Sequence, residues 1–461
     1  LNYKGFSDYI ISFLLREESD PQPSLSPLVG YTRDPEEMKQ YKVVIYPSSF
    51  FDVDTYATEA AFPPLSPPLW KGTPLLFGLP QTEKITEDGP LILYADIVAS
   101  TYFLISRYEE MIRRDDRDDY NRFPGKSSYP YRAGFIHRPI IEEYGRNLME
   151  LLEQEGCIVS YPQQGFSQIN LTHDIDRPYE YNGVRSFFRA WIKEKIALPK
   201  ALKLAFQNVL KDRFWSFPRF LEWNREVARK YPTKCSTILF YKTPGKWKED
   251  RPNYRANKYP ISRIHELALK FGAEEGWHVP LSLSQNPNRR TKSLQLLEQD
   301  LKQNISKARY HYLAAGEPED TSLLISLGIR EDYSMGYADV AGFRLGTCRP
   351  VRFISPNRGE LTSLTLHPLT LMEATLTRPN YMNLGEKEAF CYAESLLEEV
   401  AKHRGELTLL FHNDSLAKEI SPLYSKLYRE LLRTIFRLEP SHEDPIREHT
   451  SEGHKPWHPI E

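Results

Sequence analysis

The segment Leu171-Thr172-His173-Asp174-Ile175-Asp176 ends an apolar, β-like run in two carboxylates with one residue between them. Paired acids can divide labour: one ligates a metal ion while the other stays free as a general base. An Asp-rich turn or helix cap would show the same pattern. Gly276-Trp277-His278-Val279-Pro280 sets His278 on a second β-like run, as a metal ligand or as a packed core residue. An apolar run over 407–411 leads directly into His412-Asn413-Asp414, so a general acid could stand at that strand's end. Between these lie Arg309-Tyr310-His311 and a Gly- and aromatic-rich stretch over 332–350. That stretch suits a substrate loop, with Tyr333 and Arg344 as candidate contacts and Trp277 as a third. A tightly packed turn with Arg ion pairs would have the same composition.

Such groups need a frame. From Gln168 onward short apolar strands alternate with helical stretches, the pattern of βα units and a parallel sheet. Strands are expected at 169–172, 236–241, 277–283, 310–313, 329–333, 364–371 and 407–411, with helices at 261–271, 293–304 and 387–403 among them. Ligands collect at the carboxyl ends of parallel strands, where Asp174, Asp176 and His412 fall. Residues 1–165 read as a smaller α+β unit. Its strands are expected at 43–46 and 91–94, its helices at 96–111 and 142–155, with Gly156 just past the second helix.

Residues 181–230 carry 12 Lys/Arg against 4 Asp/Glu, interleaved with aromatics such as Phe188, Trp191 and Phe206. A basic helical insertion is expected at about 178–230. It serves either as a docking surface for a membrane, an acidic glycan or a partner, or as helices packing their aromatics inward. The polar end, 439–461, holds His442, His449, His454 and His458 and is expected to be a flexible tail.

Lys+Arg is 60 and Asp+Glu is 62, a net charge of −2 that argues against a nucleic-acid footprint along the whole chain. No apolar run approaches the ~18 residues of a transmembrane helix. The four cysteines, Cys157, Cys235, Cys348 and Cys391, contain no CxxC pair and fit a reducing, cytoplasmic compartment. The chain opens on Leu1, which leaves room for a removed leader.

The order of acids after strand one, His at strand three, Arg at strand four and His after strand seven resembles the polysaccharide deacetylase family (NodB homology, carbohydrate esterase family 4). The resemblance spans about 166–435, within a barrel domain expected at 166–438. It implies a distorted (β/α)7 barrel that removes acetyl groups from N-acetylated glycans with a divalent metal, zinc foremost, cobalt or nickel otherwise. Ser106-Arg107-Tyr108-Glu109-Glu110, Arg122-Phe123-Pro124 and Tyr131-Arg132-Ala133-Gly134-Phe135 are similar to an uncharacterised domain found before such barrels in some bacterial proteins. By this resemblance Asp174 is the catalytic base, Asp176 and His278 are metal ligands, Arg309 orients the base and His412 protonates the leaving amine. The family's second motif usually reads His-x-x-x-His, whereas Ser282 stands four residues after His278. A zinc site normally takes three protein ligands. Ser282, His173, His311 and His367 are the candidates for the third. A barrel that has lost full ligation and acts as a glycan-binding or scaffold protein is the alternative, and an amidase on a non-sugar substrate is a further one.

Overall fold

The computed structural model describes residues 4–17, 24–284, 289–417 and 421–439, so the His-bearing tail from 440 onward lies outside the described residues. The main sheet is built from β1 (Gln168–Ile175), β2 (Cys235–Lys242), β3 (Glu274–Val279), β4 (Lys307–Tyr310), β5 (Glu331–Met335), β6 (Val351–Ser355), β7 (Glu360–Pro368), β8 (Leu371–Met372) and β9 (Glu406–Leu410). Their order is β6-β7-β5-β4-β3-β2-β1-β9-β8, with every pair parallel except β6 and β7. The molecule is thus an α/β fold with a curled, barrel-like sheet.

Five of the seven expected strands lie close to their places, although the one expected over 364–371 is divided. The one expected over 277–283 stops at Val279, and the one expected over 310–313 shares only Tyr310 with β4, because 311–313 is a tight turn. Pro368 ends β7 beside β5, and the chain then crosses the seam of the curl to pair β8 with β9. Two successive amides bridge that seam: Leu369 N donates to Met335 O and Thr370 N to Thr408 O, each at 3.0 Å. β6 was not expected. It is an antiparallel edge strand that begins directly after the stretch read as a loop.

Helices Ile261–Phe271, Arg290–Leu301 and Glu386–Lys402 lie within three residues of expectation. Phe217–Lys230 buries Phe217, Phe220, Leu221, Asn224 and Val227, a helical stripe against the sheet. It is therefore the crossover between β1 and β2. The helical material in excess of a plain βα unit lies before it, chiefly at 183–206.

The leading part has its own sheet, in the order Val29–Tyr31, Val43–Ile45, Leu91–Ala95, Gly78–Lys84, with only the last strand antiparallel. The helix expected over 96–111 is broken into Ile97–Ile105 and Tyr108–Ile112 because Arg107 sits in the left-handed region (φ 59°). That turn lets the Arg107 guanidinium reach both Glu110 and the Gly316 carbonyl (2.7 Å). Helix Ile140–Gln154 ends as expected, with Gly156 left-handed at φ 81°.

One apolar core runs through both sheets, joining Phe6, Phe13, Tyr102 and Leu148 to Leu345, Val351 and Leu366. Buried Glu142 accepts from Arg16 (3.2 Å), Arg349 (2.7 Å) and the Thr347 hydroxyl. Arg344 is likewise tied to Glu110 at 2.9 and 2.7 Å and to the Gly336 carbonyl. It is a buried strut between the two sheets, which corrects its reading as a substrate contact.

Candidate metal centre and active site

Asp174 is the penultimate residue of β1, and Asp176 follows the strand's end. Side chains alternate along a strand, so Thr172, Asp174 and Asp176 share a face. His278 and Arg309 are neighbours in register on β3 and β4. The wholly buried Arg309 guanidinium donates from one nitrogen to Thr172 Oγ1 (2.7 Å) and Asp174 Oδ1 (3.1 Å), and its Nε donates to the Tyr333 carbonyl (3.0 Å). It also lies 4.5 Å from the Phe240 ring centroid. The guanidinium is thus fixed on four sides and holds Asp174 Oδ1, leaving the second carboxylate oxygen to the site.

His278 Nδ1 lies 3.0 Å from the Arg309 carbonyl. A carbonyl only accepts, so Nδ1 carries a proton and Nε2 is the nitrogen turned toward the site. That Nε2 is 3.1 Å from Asp176 Oδ1, and both atoms are buried without a hydrogen-bond partner. Pro280 ends β3, and the chain turns into the short helix Leu281–Ser284. Ser282 faces the Lys246 backbone amide, whose hydrogen its Oγ accepts at 3.0 Å, and its own N–H goes to Asp250.

The third donor comes from the next strand. β4 stops at Tyr310, and Tyr312 and Leu313 adopt left-handed conformations (φ 60° and 58°). The sharp turn brings His311 Nε2 to 3.2 Å from Asp176 Oδ2. Its Nδ1 faces Asp250 Oδ1 at 3.5 Å. Donor atoms of Asp176, His278 and His311 all lie within 4.8 Å of one another. One carboxylate and two imidazoles are a donor set suited to a divalent metal, and orphaned buried donors facing each other are the local sign of such a site. A carbonyl behind one imidazole and a carboxylate facing the other resemble the outer partners that orient metal-ligating histidines.

The other candidate ligands are engaged elsewhere. His173 donates from Nδ1 to the Phe411 carbonyl (2.8 Å), and Nε2 accepts from Asn224 (3.0 Å). Burial lowers its pKa to about 4 despite that carbonyl. His367 bonds Glu406 through Nδ1 (2.7 Å) and stacks on Tyr333 at 4.1 Å.

His412 Nδ1 donates to Glu373 Oε1 at 2.8 Å, and its backbone N–H donates to the same oxygen at 3.1 Å. Its Nε2 points into the site, 3.5 Å from Asp176 Oδ2. Burial alone would lower the His412 pKa, but the Glu373 and Asp176 carboxylates raise it to about 10. Burial likewise opposes ionisation of Asp176, yet His311 and His278 hold its carboxyl well below the usual range. Asp176 in turn raises the pKa of His311 against its burial.

Asp174, Asp176, His311 and His412 line one cavity of about 250 Å³, and buried His278 stands beside Asp176 at 3.1 Å. Arg122, Arg177, Arg251, Arg378, Tyr312 and Tyr381 line it too. Buried Lys242 also lines it and donates to the Asp176 carbonyl at 3.1 Å. Trp277 and Tyr333 do not line it, which corrects their reading as substrate contacts. Trp277 is fully buried on the face opposite His278 and donates to Thr243 Oγ1 (3.1 Å). Tyr333 lies deeper in the curl, its hydroxyl on Glu331 (2.9 Å). Sequence reasoning missed Glu373, Asp250, Lys242 and Arg122. A lone Glu after β8 or a Lys ending an apolar strand carries no local signal beyond its position.

The profile of a family of unknown function (DUF7033) matches residues 10–156. None of the curated proteins matches the chain. Among solved structures, a protein from Mycobacterium smegmatis assigned to the polysaccharide deacetylases is 14% identical over 60% of this chain and 86% of that one, with a TM-score of 0.37. Puue allantoinase is 12% identical, covering 60% and 89%, TM-score 0.36. A CE4 family pseudoenzyme from Bacillus anthracis is 11% identical, covering 59% and 64%, TM-score 0.27.

Proposed function

We propose that the chain is a metal-dependent hydrolase that removes acetyl groups from an N-acetylated glycan or related carbohydrate. One observation carries this reading: a three-donor group, a restrained carboxylate and a carboxylate-backed imidazole converge on a single cavity. Asp176, His278 and His311 hold the metal, zinc being the best match to two imidazoles and a carboxylate, with cobalt or nickel as substitutes. When bound, the metal supplies Lewis-acid polarisation of water and of the acyl oxygen.

The chain's own residues do the rest. Arg309 holds Asp174 in place through Oδ1, so Asp174 takes the proton from the attacking water with its other oxygen. Glu373 holds the His412 Nδ1 proton, which leaves Nε2–H to face the leaving nitrogen. As the amide C–N bond breaks, that nitrogen takes the proton from His412 Nε2, and acetate and a free amine result. Each proton transfer is typically worth roughly 10²- to 10⁴-fold in rate. The polar rim, with its arginines and the Tyr312 and Tyr381 rings, suits a saccharide.

Acetate release from chitin oligomers tests the assignment. Asp174→Asn keeps the metal and loses the activity. Full activity in that variant would remove Asp174 from the role of base. Bound metal without acetate release by the wild type would leave a glycan-binding protein.

A further inference from the structure

The exposed large apolar side chains are concentrated in one place. Of the 19 in the described residues, eight lie between Val184 and Leu210. All but Leu210 belong to a helical hairpin made of Gly183–Phe188, continued by a π turn over Arg189–Lys193, and Leu198–Phe206. The two arms pack on each other, and a small cluster of Tyr181, Ala190 and Ala201 with Phe187, Ile196 and Leu204 fills the space between them. What remains outside is ordered. Val184, Phe188 and Trp191–Ile192 follow one helical stripe, and Leu198, Leu202 and Phe206 follow another. The Phe187 ring joins the stripes, with centroids 5.1 Å from Phe188, 5.8 Å from Trp191 and 6.4 Å from Phe206. Ile192 is 63% exposed and Phe206 58%. A contiguous patch of this kind is rare on a surface that meets only water.

The surrounding charge names the occupant. Between 184 and 210 stand six cations, Arg185, Arg189, Lys193, Lys195, Lys200 and Lys203, against one carboxylate, Glu194. Glu194 is already occupied by Arg189 (3.1 Å) and the Tyr181 hydroxyl (2.6 Å). Trp, Phe, Ile and Leu on one face with Lys and Arg around them is the composition that lies in an anionic bilayer interface. No helix among the described residues is long and apolar enough to cross a membrane, so the contact is a surface one.

We infer that the 183–206 hairpin docks the protein on an anionic lipid bilayer, with its apolar stripes in the interface and its cations at the headgroups. The hairpin is rooted at the rim of the cavity. Arg177 lines that cavity six residues before Gly183, and Asp212 ties the hairpin's neck by accepting from the Glu180 and Tyr181 amides at 2.8 and 3.0 Å. Docking therefore tethers the lipid surface to an element joined to the rim of the site. The inference stands whether or not the cavity is a deacetylase site.

Flotation of the full chain with vesicles tests it. With phosphatidylglycerol mixed into phosphatidylcholine the chain floats, and rising salt releases it. With phosphatidylcholine alone it stays behind. The combined variant Phe188→Ser, Ile192→Ser, Phe206→Ser loses roughly tenfold or more of the partitioning, with an unchanged melting temperature because these side chains lie outside the core. Lys193→Glu, Lys200→Glu and Lys203→Glu each cost about fivefold on the anionic vesicles. Flotation that survives the serine variant overturns the inference, as does failure of the wild type to float. A wild-type dimer that the serine variant dissolves, without flotation, would assign the patch to a second copy of the chain.

Discussion

His311 outranks Ser282 as the third donor because of where the chain turns, and this separates two variants sharply. Ser282→Ala removes an acceptor for the Lys246 amide and a hydrogen bond to Asp250 but no metal donor, so metal content stays at the wild-type level. His311→Ala removes a donor atom beside Asp176 and empties the centre, as elemental analysis of the purified variants will show. Equal metal in both would move the third ligand elsewhere. Glu373→Gln keeps the shape at His412 but removes the charge that holds Nδ1–H. Acetate release then falls roughly 100-fold with the metal retained, whereas an unchanged rate would free His412 from the acid role. Asp174, Asp176, His278, Arg309 and His412 were legible in sequence because residue type and strand-end position agreed. The choice of His311 was not legible, since it depends on left-handed Tyr312 and Leu313. Trp277 was misread against a plain rule: the neighbour of an inward residue on a strand faces outward.

The turn after β4 is the element on which the centre depends, and the leading part of the chain braces it. Tyr120 stacks on Tyr312 at 4.7 Å and 17°, and the Arg122 guanidinium donates to the Tyr312 carbonyl at 3.0 Å. Arg122→Ala therefore loosens the turn that presents His311 and weakens metal binding roughly tenfold. A metal titration giving wild-type affinity would make Arg122 a rim residue alone. The strands were legible from their apolar runs. The crossing at Pro368 was not, because a run of β-like residues does not record which edge of a sheet it pairs with. The basic stretch was legible as helical and amphipathic. Where the crossover helix begins within it was settled by burial, with Phe217, Phe220 and Leu221 inside and Phe188, Ile192 and Phe206 outside.

Across the whole molecule the two sheets are held by buried charge as well as by a common apolar core. Burial would raise the Glu110 pKa, but Arg107 and Arg344 bring it down to about 2 from its ordinary 4.5. A depressed carboxylate stabilises the fold above its unfolded pKa and loses that contribution as pH falls from about 4.5 toward 2, about 3 kcal/mol here. His367 is the opposite case. Burial opposes its charge, but Glu406 and Glu331 raise its pKa to about 9 from 6.5. Its contribution is full below about 6.5 and is lost as pH rises through about 9. Chemical denaturation across pH should then show greatest stability between these limits. Arg344→Ala strands part of a buried carboxylate's charge and costs about 3 to 5 kcal/mol, while KM for any substrate that variant still turns over is unchanged. A raised KM with wild-type stability would restore Arg344 to the substrate. The most direct measurement of the central claim is acetate released from chitin oligomers by the full chain before chelation, after chelation, and after zinc is returned. Release that disappears with the metal and returns with zinc is the predicted result. Release indifferent to chelation, or none at all with zinc bound, would contradict it.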